Sequence, residues 1–573
     1  MTRIRATASA LLALAALALA PAARAQEAGE LPRTHAPRPT TAALTPADLM
    51  TRLYILADDS MAGREAGTPG NVKGTDYVAE QFRRAGLEPM GENGTYFQTV
   101  PLVRKGLHPG AALTVDGAPL AMGTEWVPVP PTQGVIRFDT LFRATRAPVV
   151  FGGRIGGTML PRAQAAGKLV VVLPPGDAQG EPSYRFWAGK ALDDYPGAAG
   201  VAVVSLEITP AGVLDFFAQA QISMAGGEAP EIDGAPGMLI SAAAARRLLG
   251  ADPASMAVGA AGRTVSGAYA FGQRPVEAPA RNVIGVLRGS DPALRGEYVV
   301  ISAHNDHDGL LPVAFDHDSV RAYNRVMRPQ GANDDPGEPS NGQWARITAL
   351  RDSMRRAHGG QVRMDSIMNG SDDDGSGTVT LMEIAEELAA REVRPRRSIL
   401  FVSHTAEEKG LYGSRWFTDH PTVPLESIVT ALNMDMVGRG RAEEVANGGP
   451  WSIQMIGSRR LSTGLGAMID SLNAARPNPM RIDYSFDAPG HPLNRYCRSD
   501  HFMYARYGIP ITYFSLGYHV DYHQVGDEPQ YIDYDHMARV GSFVGSVAAA
   551  IADRPERLVV DKPKPDPNAP CRQ

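Results

Sequence analysis

The chain has 573 residues, 44% hydrophobic and 21% charged, with a formal charge of -6 at pH 7 and two cysteines. Mild acidity without a lysine or arginine run gives no support for nucleic acid or an anionic membrane as partner. The length allows two domains and a large core.

Arg3 and Arg5, the apolar stretch Ala8 to Ala20 and the sequence Ala23-Arg24-Ala25 read as a secretory signal peptide over residues 1–25, cleaved before Gln26. The apolar stretch is too short to span a bilayer, and no second one is long enough. A mature chain that is secreted or periplasmic is therefore expected, its charge moving from -6 to -9 as Arg3, Arg5 and Arg24 leave. In an oxidising compartment Cys497 and Cys571 form one disulfide or stay as two free thiols, and the sequence leaves both open.

Residues 26–45, rich in Pro, Ala and Thr, read as a flexible leader ending at Thr45, a plausible N-cap. Apolar positions then recur at helical spacing over Pro46–Leu56 and Asn71–Gly86. From 127 to 272 the texture changes to short β-rich runs between Gly and Pro clusters, such as Leu169–Leu173 and Val201–Leu206, which predicts a separate small domain. Segments 46–126 and 273–553 make up the main domain. Its predicted strands are Asn282–Leu287, Tyr298–Ser302, Ser398–Ser403, Ile428–Met434 and Ile509–Phe514. They alternate with predicted helices Thr378–Arg391, Arg459–Ala474 and His536–Ala550, the pattern of an α/β sheet with helices on both faces. Segment 309–368 is an insertion whose end, Gln343–His358, is helical with Trp344, Ile347, Leu350 and Met354 on one face; it is a candidate lid. Residues 554–573, with five prolines, read as an extended tail.

Five potential metal ligands lie in order along this main domain: His304, Asp373, Glu408, Asp435 and His523. Two divalent ions sharing one carboxylate need one bridging ligand and four terminal ones, and imidazole with carboxylate suits zinc without any thiolate. His304, Glu408 and Asp435 fall just past predicted strand ends, where α/β sheets bind ligands. Asp306 is placed to accept the other ring N–H of His304 and fix its tautomer. Three carboxylates, Asp372, Asp373 and Asp374, crowd the start of a helix, where repulsion is unfavourable without a cation. The acidic residues do not alternate as an EF-hand loop requires. Asp373 is the expected bridge. Of the adjacent Glu407 and Glu408, the second is assigned to metal and the first to the general base. Asp435, between Met434 and Met436, is either neutral or bound to a cation.

Together, His304-x-Asp306, Asp373 before Gly375-Ser376-Gly377, Glu407-Glu408-x-Gly-Leu-x-Gly-Ser414, Asn433-x-Asp435-Met436 and Tyr522-His523 resemble the motifs of the co-catalytic zinc aminopeptidases, family twenty-eight of the metallopeptidases. Asp59-Ser-Met-Ala-Gly63-Arg64 and Arg498-Ser-Asp-His501 extend the resemblance. It implies a mixed, mostly parallel zinc-exopeptidase sheet sandwiched by helices. The middle region is similar to the protease-associated domain inserted in many members. The resemblance further implies two zinc ions, one held by His304 and Asp435 and the other by Glu408 and His523, with Asp373 bridging. Glu407 would be the base that deprotonates a zinc-bound hydroxide precursor, Tyr522 would hydrogen-bond the oxyanion, and a cis bond would join Asp373 to Asp374. Peptides with a free N-terminus are the implied substrates. The rival of opposite polarity is a carboxypeptidase or dipeptidase, with Arg439, Arg441, Arg495 and Arg498 as candidates for the substrate carboxylate; a non-catalytic receptor-like module is the rival from another class. The long insertion after Asp308 and Asn305, where an aromatic is common, are departures from the family.

Overall fold

The computed structural model describes residues 31–573 except 131–140, 177–180, 184–194, 196, 219, 227–233 and 335–336. The signal-peptide reading of 1–25 lies outside the described residues.

A nine-stranded sheet organises the main domain. Its centre is parallel: strand Tyr298–His304 pairs with Ser398–His404 on one side and Ile428–Met434 on the other, and the latter pairs with Ile511–Ser515. Antiparallel neighbours flank it, Ala280–Leu287 beside Ser398–His404 and Ser452–Ile456 beside Ile511–Ser515. The four central strands are buried at every residue. This matches their continuous apolar runs and requires cover on both faces. One face carries helices Pro46–Leu56, Pro69–Arg84, Gly377–Ala389, Thr463–Ala474 and Tyr534–Ala552, packed through Leu53, Phe82, Leu381, Leu465 and Phe543. The short helices Tyr412–Asp419 and His501–Ala505 cover the other through Phe417 and Tyr504. The fold is the mixed α/β architecture expected from the alternation.

A ten-stranded sheet forms a second body with apolar clusters on both of its faces. It takes in strands from Leu102–Leu107 to Ala261–Pro275, so it begins about 25 residues before the boundary expected at 127. Strands Leu102–Leu107 and Ala112–Val115 belong to it because both pair with the long strand Ala261–Pro275, some 150 residues later. Such distant pairing leaves no local signal in the sequence.

The described part of the leader is ordered, which corrects the expectation of flexibility. Leu31 and Leu44 pack on the main core, the Tyr54 hydroxyl donates to the Pro32 carbonyl, and Thr45 caps the first helix by accepting from Asp48 N at 3.1 Å. The tail is extended and tied down: Cys497 and Cys571 form a disulfide 74 residues apart, and Gln573 Oε1 accepts from Tyr496 N at 3.0 Å. A loop of that length restricts the unfolded chain substantially. The double substitution Cys497→Ser/Cys571→Ser is expected to cost about 2–4 kcal/mol, read as a lower midpoint in equilibrium denaturation of the oxidised protein. An unchanged midpoint would show that the tail does not constrain the unfolded ensemble.

Candidate metal centre

The parallel strands deliver the site's donors at their carboxyl ends. His304 is the last residue of its strand, Glu407 and Glu408 follow Ser398–His404, and Asp435 directly follows Ile428–Met434. His523 lies in the loop after Ile511–Ser515 with a left-handed backbone, φ 52°. Asp373 comes from the turn before helix Gly377–Ala389, and its bond to Asp374 is cis.

All five expected ligands converge. His304 Nε2 lies 3.2 Å from Asp373 Oδ1 and 3.8 Å from Asp435 Oδ1. On the other side of Asp373, its Oδ2 is 3.1 Å from His523 Nε2, which is itself 3.1 Å from Glu408 Oε2. Two donor groups therefore share the two oxygens of one carboxylate: His304, Asp373 and Asp435, and Asp373, Glu408, His523 and His307. The last member, His307, had no signal in the sequence reading beyond its place three residues after His304.

The neighbouring carboxylates face away from the cage. Asp374 accepts from His304 N at 3.0 Å and Met436 N at 3.1 Å, and Asp372 accepts from Gly438 N at 2.6 Å. The Asp372–Asp374 run is thus a bracket that fixes two backbone segments, with Asp373 alone turned to the donors. Asp527 holds this bracket in turn, accepting from the main-chain N–H of both Asp372 and Asp373.

Asp306 works differently from expectation. His304 Nδ1 meets the Asp306 main-chain carbonyl at 3.1 Å, while the nearest carboxylate oxygen is 3.7 Å away. The carboxylate instead accepts from Glu407 N at 3.1 Å, because the chain turns back after His304 and aims it at the next strand's loop. The outer nitrogen of His523 has its own support, Asp308 Oδ2 at 3.4 Å. Ligating imidazoles are regularly oriented by such partners.

Arg64, from the Asp59–Arg64 motif, is a second residue whose role the sequence concealed. It is 1% exposed, and its guanidinium donates to the carbonyls of Asn305, Leu56, Asn369 and Gly370 at 2.7–3.1 Å. It thereby ties the His304 turn to the Asp373 turn.

Electrostatics describe a cage built for cations. Burial opposes charge on His523, yet Glu408 and Asp373 push it up to about 12, and carboxylates likewise hold His304 well above its ordinary value. Burial would raise Asp373, but the imidazoles of His304 and His523, 3.2 and 3.1 Å from its two oxygens, hold it well below the carboxylate range. The buried Nε2 atoms of His304 and His523 and Oδ2 of Asp373 make no hydrogen bond. Convergent, buried, unsatisfied imidazole and carboxylate atoms fit zinc.

A cavity of about 290 Å³ opens on this cage, walled by Asp373, Glu407, Glu408, Asp435 and His523 with Leu411, Tyr518, Tyr522 and Arg498. Glu407 Oε2 is 4.0 Å from His304 Nε2. The Tyr522 ring stacks on Tyr518 at 4.7 Å, and its hydroxyl lies 3.5 Å from Arg498 Nη2. Of the four arginines considered for a substrate carboxylate, Arg498 lines the cavity; Arg439 and Arg495 are buried in other pairings, and Arg441 donates to the Tyr531 carbonyl.

The insertion forms a two-stranded ribbon, Gly309–Asp316 with Met364–Met368, and a helical hairpin, His317–Met327 with Asn341–Ala357. Ile347, Leu350 and Met354 pack within the hairpin as the periodicity predicts, whereas Trp344 is 49% exposed. The hairpin is fastened to the loop carrying Tyr522 and His523. Arg321 pairs with Asp521, Asn324 Nδ2 donates to Asp521 at 3.4 Å, and Ala332 N donates to Tyr518 O at 3.1 Å. Gly331 permits the approach, since a Cβ there would sit 2.2 Å from the Tyr518 carbonyl oxygen.

The chain is similar in part to several known proteins. A probable zinc metalloprotease of Pyricularia oryzae is 25% identical over 238 residues, 34% of this chain and 46% of its own length. Aminopeptidase NAALADL1 of Rattus norvegicus is 42% identical over 91 residues, 15% of this chain and 12% of its own. The chain spans about half or less of the length of these curated relatives. Among solved structures, a zinc aminopeptidase from Bacillus subtilis superposes with a TM-score of 0.44 at 16% identity, covering 89% of this chain and 95% of that one. An aminopeptidase from Aneurinibacillus sp. strain AM-1 gives 0.43 at 16% identity over 91% and 97%. Residues 282–548 match the family model for peptidase family M28, and that stretch contains every donor of the cage.

Proposed function

We propose that the protein is a secreted or periplasmic aminopeptidase that removes N-terminal residues from peptides with two zinc ions and Glu407 as general base. The observation that carries the reading is the pair of donor groups sharing Asp373 at the floor of a cavity that also holds Glu407 and Tyr522.

His304, Asp435 and Asp373 would hold one ion, and Glu408, His523 and Asp373 the other. Bound there, the pair polarises a carbonyl and makes hydroxide available near neutral pH. Glu407 takes the proton of the attacking water and returns it to the leaving amine. The Tyr522 hydroxyl donates to the oxygen that becomes negative, its ring held by stacking on Tyr518. The disulfide supports an oxidising compartment, and among the described residues no helix is long and apolar enough to cross a membrane. The second body, as a protease-associated domain, shields the cleft.

Arg498 favours a second reading, a carboxypeptidase or dipeptidase, since a guanidinium at the wall matches a substrate carboxylate. The aminopeptidase reading instead assigns Arg498 to the Tyr522 hydroxyl, which lies 3.5 Å from its Nη2. The test is a panel of aminoacyl anilides and N-blocked dipeptides, with metal analysis of the purified protein. Two zinc per chain and cleavage of the free-amine substrates alone are expected. Cleavage of N-blocked dipeptides alone would move the assignment to the carboxypeptidase; zinc without any amide hydrolysis would leave a binding module.

A further inference from the structure

The geometry points to His307 as a further metal ligand, which makes the two sites unequal: four protein donors at the site of Glu408 and His523, three at the site of His304 and Asp435. The inference rests on the zinc reading above.

His307 is 0% exposed, and it is Nδ1 that faces the cage, 2.7 Å from Glu408 Oε1 and 3.9 Å from Asp373 Oδ2. Its ring stands edge-on to His523 with centroids 5.4 Å apart, so two imidazoles look into one space from different sides. One atom each of His307, Asp373, Glu408 and His523 lies within 4.8 Å of all the others. The separations between donors, 3.1 Å from His523 to Asp373, 3.1 Å from His523 to Glu408 and 3.9 Å from His307 to Asp373, lie on either side of the edge of a tetrahedron. That edge is about 3.3 Å for bonds of about 2.0–2.1 Å. The backbone has been shaped around this ring. Gly370 sits at φ 52°, where an added Cβ would come within 2.4 Å of His307 Cγ.

The alternative role is support alone, His307 donating to Glu408 without touching metal. The two differ in what the site does. A four-donor cage is closed, holds its ion tightly and leaves little room for water, as structural zinc sites do. The three-donor group keeps an open position, and it is the group beside Glu407, whose Oε2 lies 4.0 Å from His304 Nε2. The unequal donor count therefore assigns anchoring to one site and reaction to the other.

The experiment is X-ray absorption on the full chain loaded with one and then two equivalents of zinc, together with competition against a chelator. With one equivalent, two imidazoles at the metal are expected. His307→Asn keeps an amide able to donate to Glu408 but leaves one imidazole there. Its first-zinc affinity is expected to fall by more than about a hundredfold, beyond the roughly 10–100-fold cost of a lost supporting bond. A single imidazole in the one-zinc wild type, with a second zinc still taken up, overturns the inference and leaves the dizinc reading standing. Failure to bind zinc at all overturns both.

Discussion

Glu407→Gln is expected to lower kcat by about 10²–10⁴ while zinc content stays that of the wild type, the range usually lost with a general base. The argument is positional. Glu407 and Glu408 are adjacent, yet Glu408 spans His307 and His523 with its two oxygens, whereas Glu407 contributes to neither donor group and faces the cavity. Asp306 sets that difference by holding Glu407 N at 3.1 Å, at the turn where Ala406 adopts φ 56°. Burial drives the Glu407 carboxyl well above its ordinary range. Glutamine preserves volume and removes the proton acceptor. Steady-state kinetics on the aminoacyl anilide, with metal analysis of the same sample, separates loss of the base from loss of metal. Full turnover with both zinc ions retained would exclude Glu407 from proton transfer.

Much of this site was legible because its chemistry is local in sequence. The runs Tyr-Val-Val-Ile and Ile-Leu-Phe-Val-Ser announce buried strands, and the ligands His304 and Glu408 sit three and five residues past their ends. The supporting contacts were hidden for the opposite reason. Arg64 binds carbonyls at 305, 369 and 370, Asp308 reaches His523, and Asp527 reaches Asp372 and Asp373, all across separations that carry no periodic signal. Asp306 shows the limit of motif reasoning: its spacing from His304 was informative, but whether carbonyl or carboxylate meets the ring depends on how the chain turns between them. The second sheet's early start follows the same rule, since Leu102–Leu107 acquires its partners only when Gln221–Met224 and Ala261–Pro275 arrive.

Asp521→Asn is expected to destabilise the chain by about 3–5 kcal/mol, the usual cost of removing one partner from a buried charge network. Asp521 is 0% exposed and lies between Arg321 of the insertion and Arg439, 2.9 Å away, which also pairs with Glu444. Burial alone would raise its pKa; the two guanidiniums more than offset this and hold it well below the carboxylate range. A carboxyl so depressed contributes its full stabilisation above pH ~4 and loses it as the pH falls further, so wild type and variant converge in acid. Asparagine leaves two buried cations facing each other without the carboxylate between them, Arg321 lying 3.3 Å from the Tyr531 ring centroid. Because Asp521 immediately precedes Tyr522 and His523, the loss reaches the site. Arg321→Met tests whether the insertion is the strut of that loop. It should lower kcat without emptying the metal centre, and its stability cost should be non-additive with that of Asp521→Asn in a double-mutant cycle, as for residues sharing one network. Equal stability and turnover for Arg321→Met and wild type would free the loop from any dependence on the insertion.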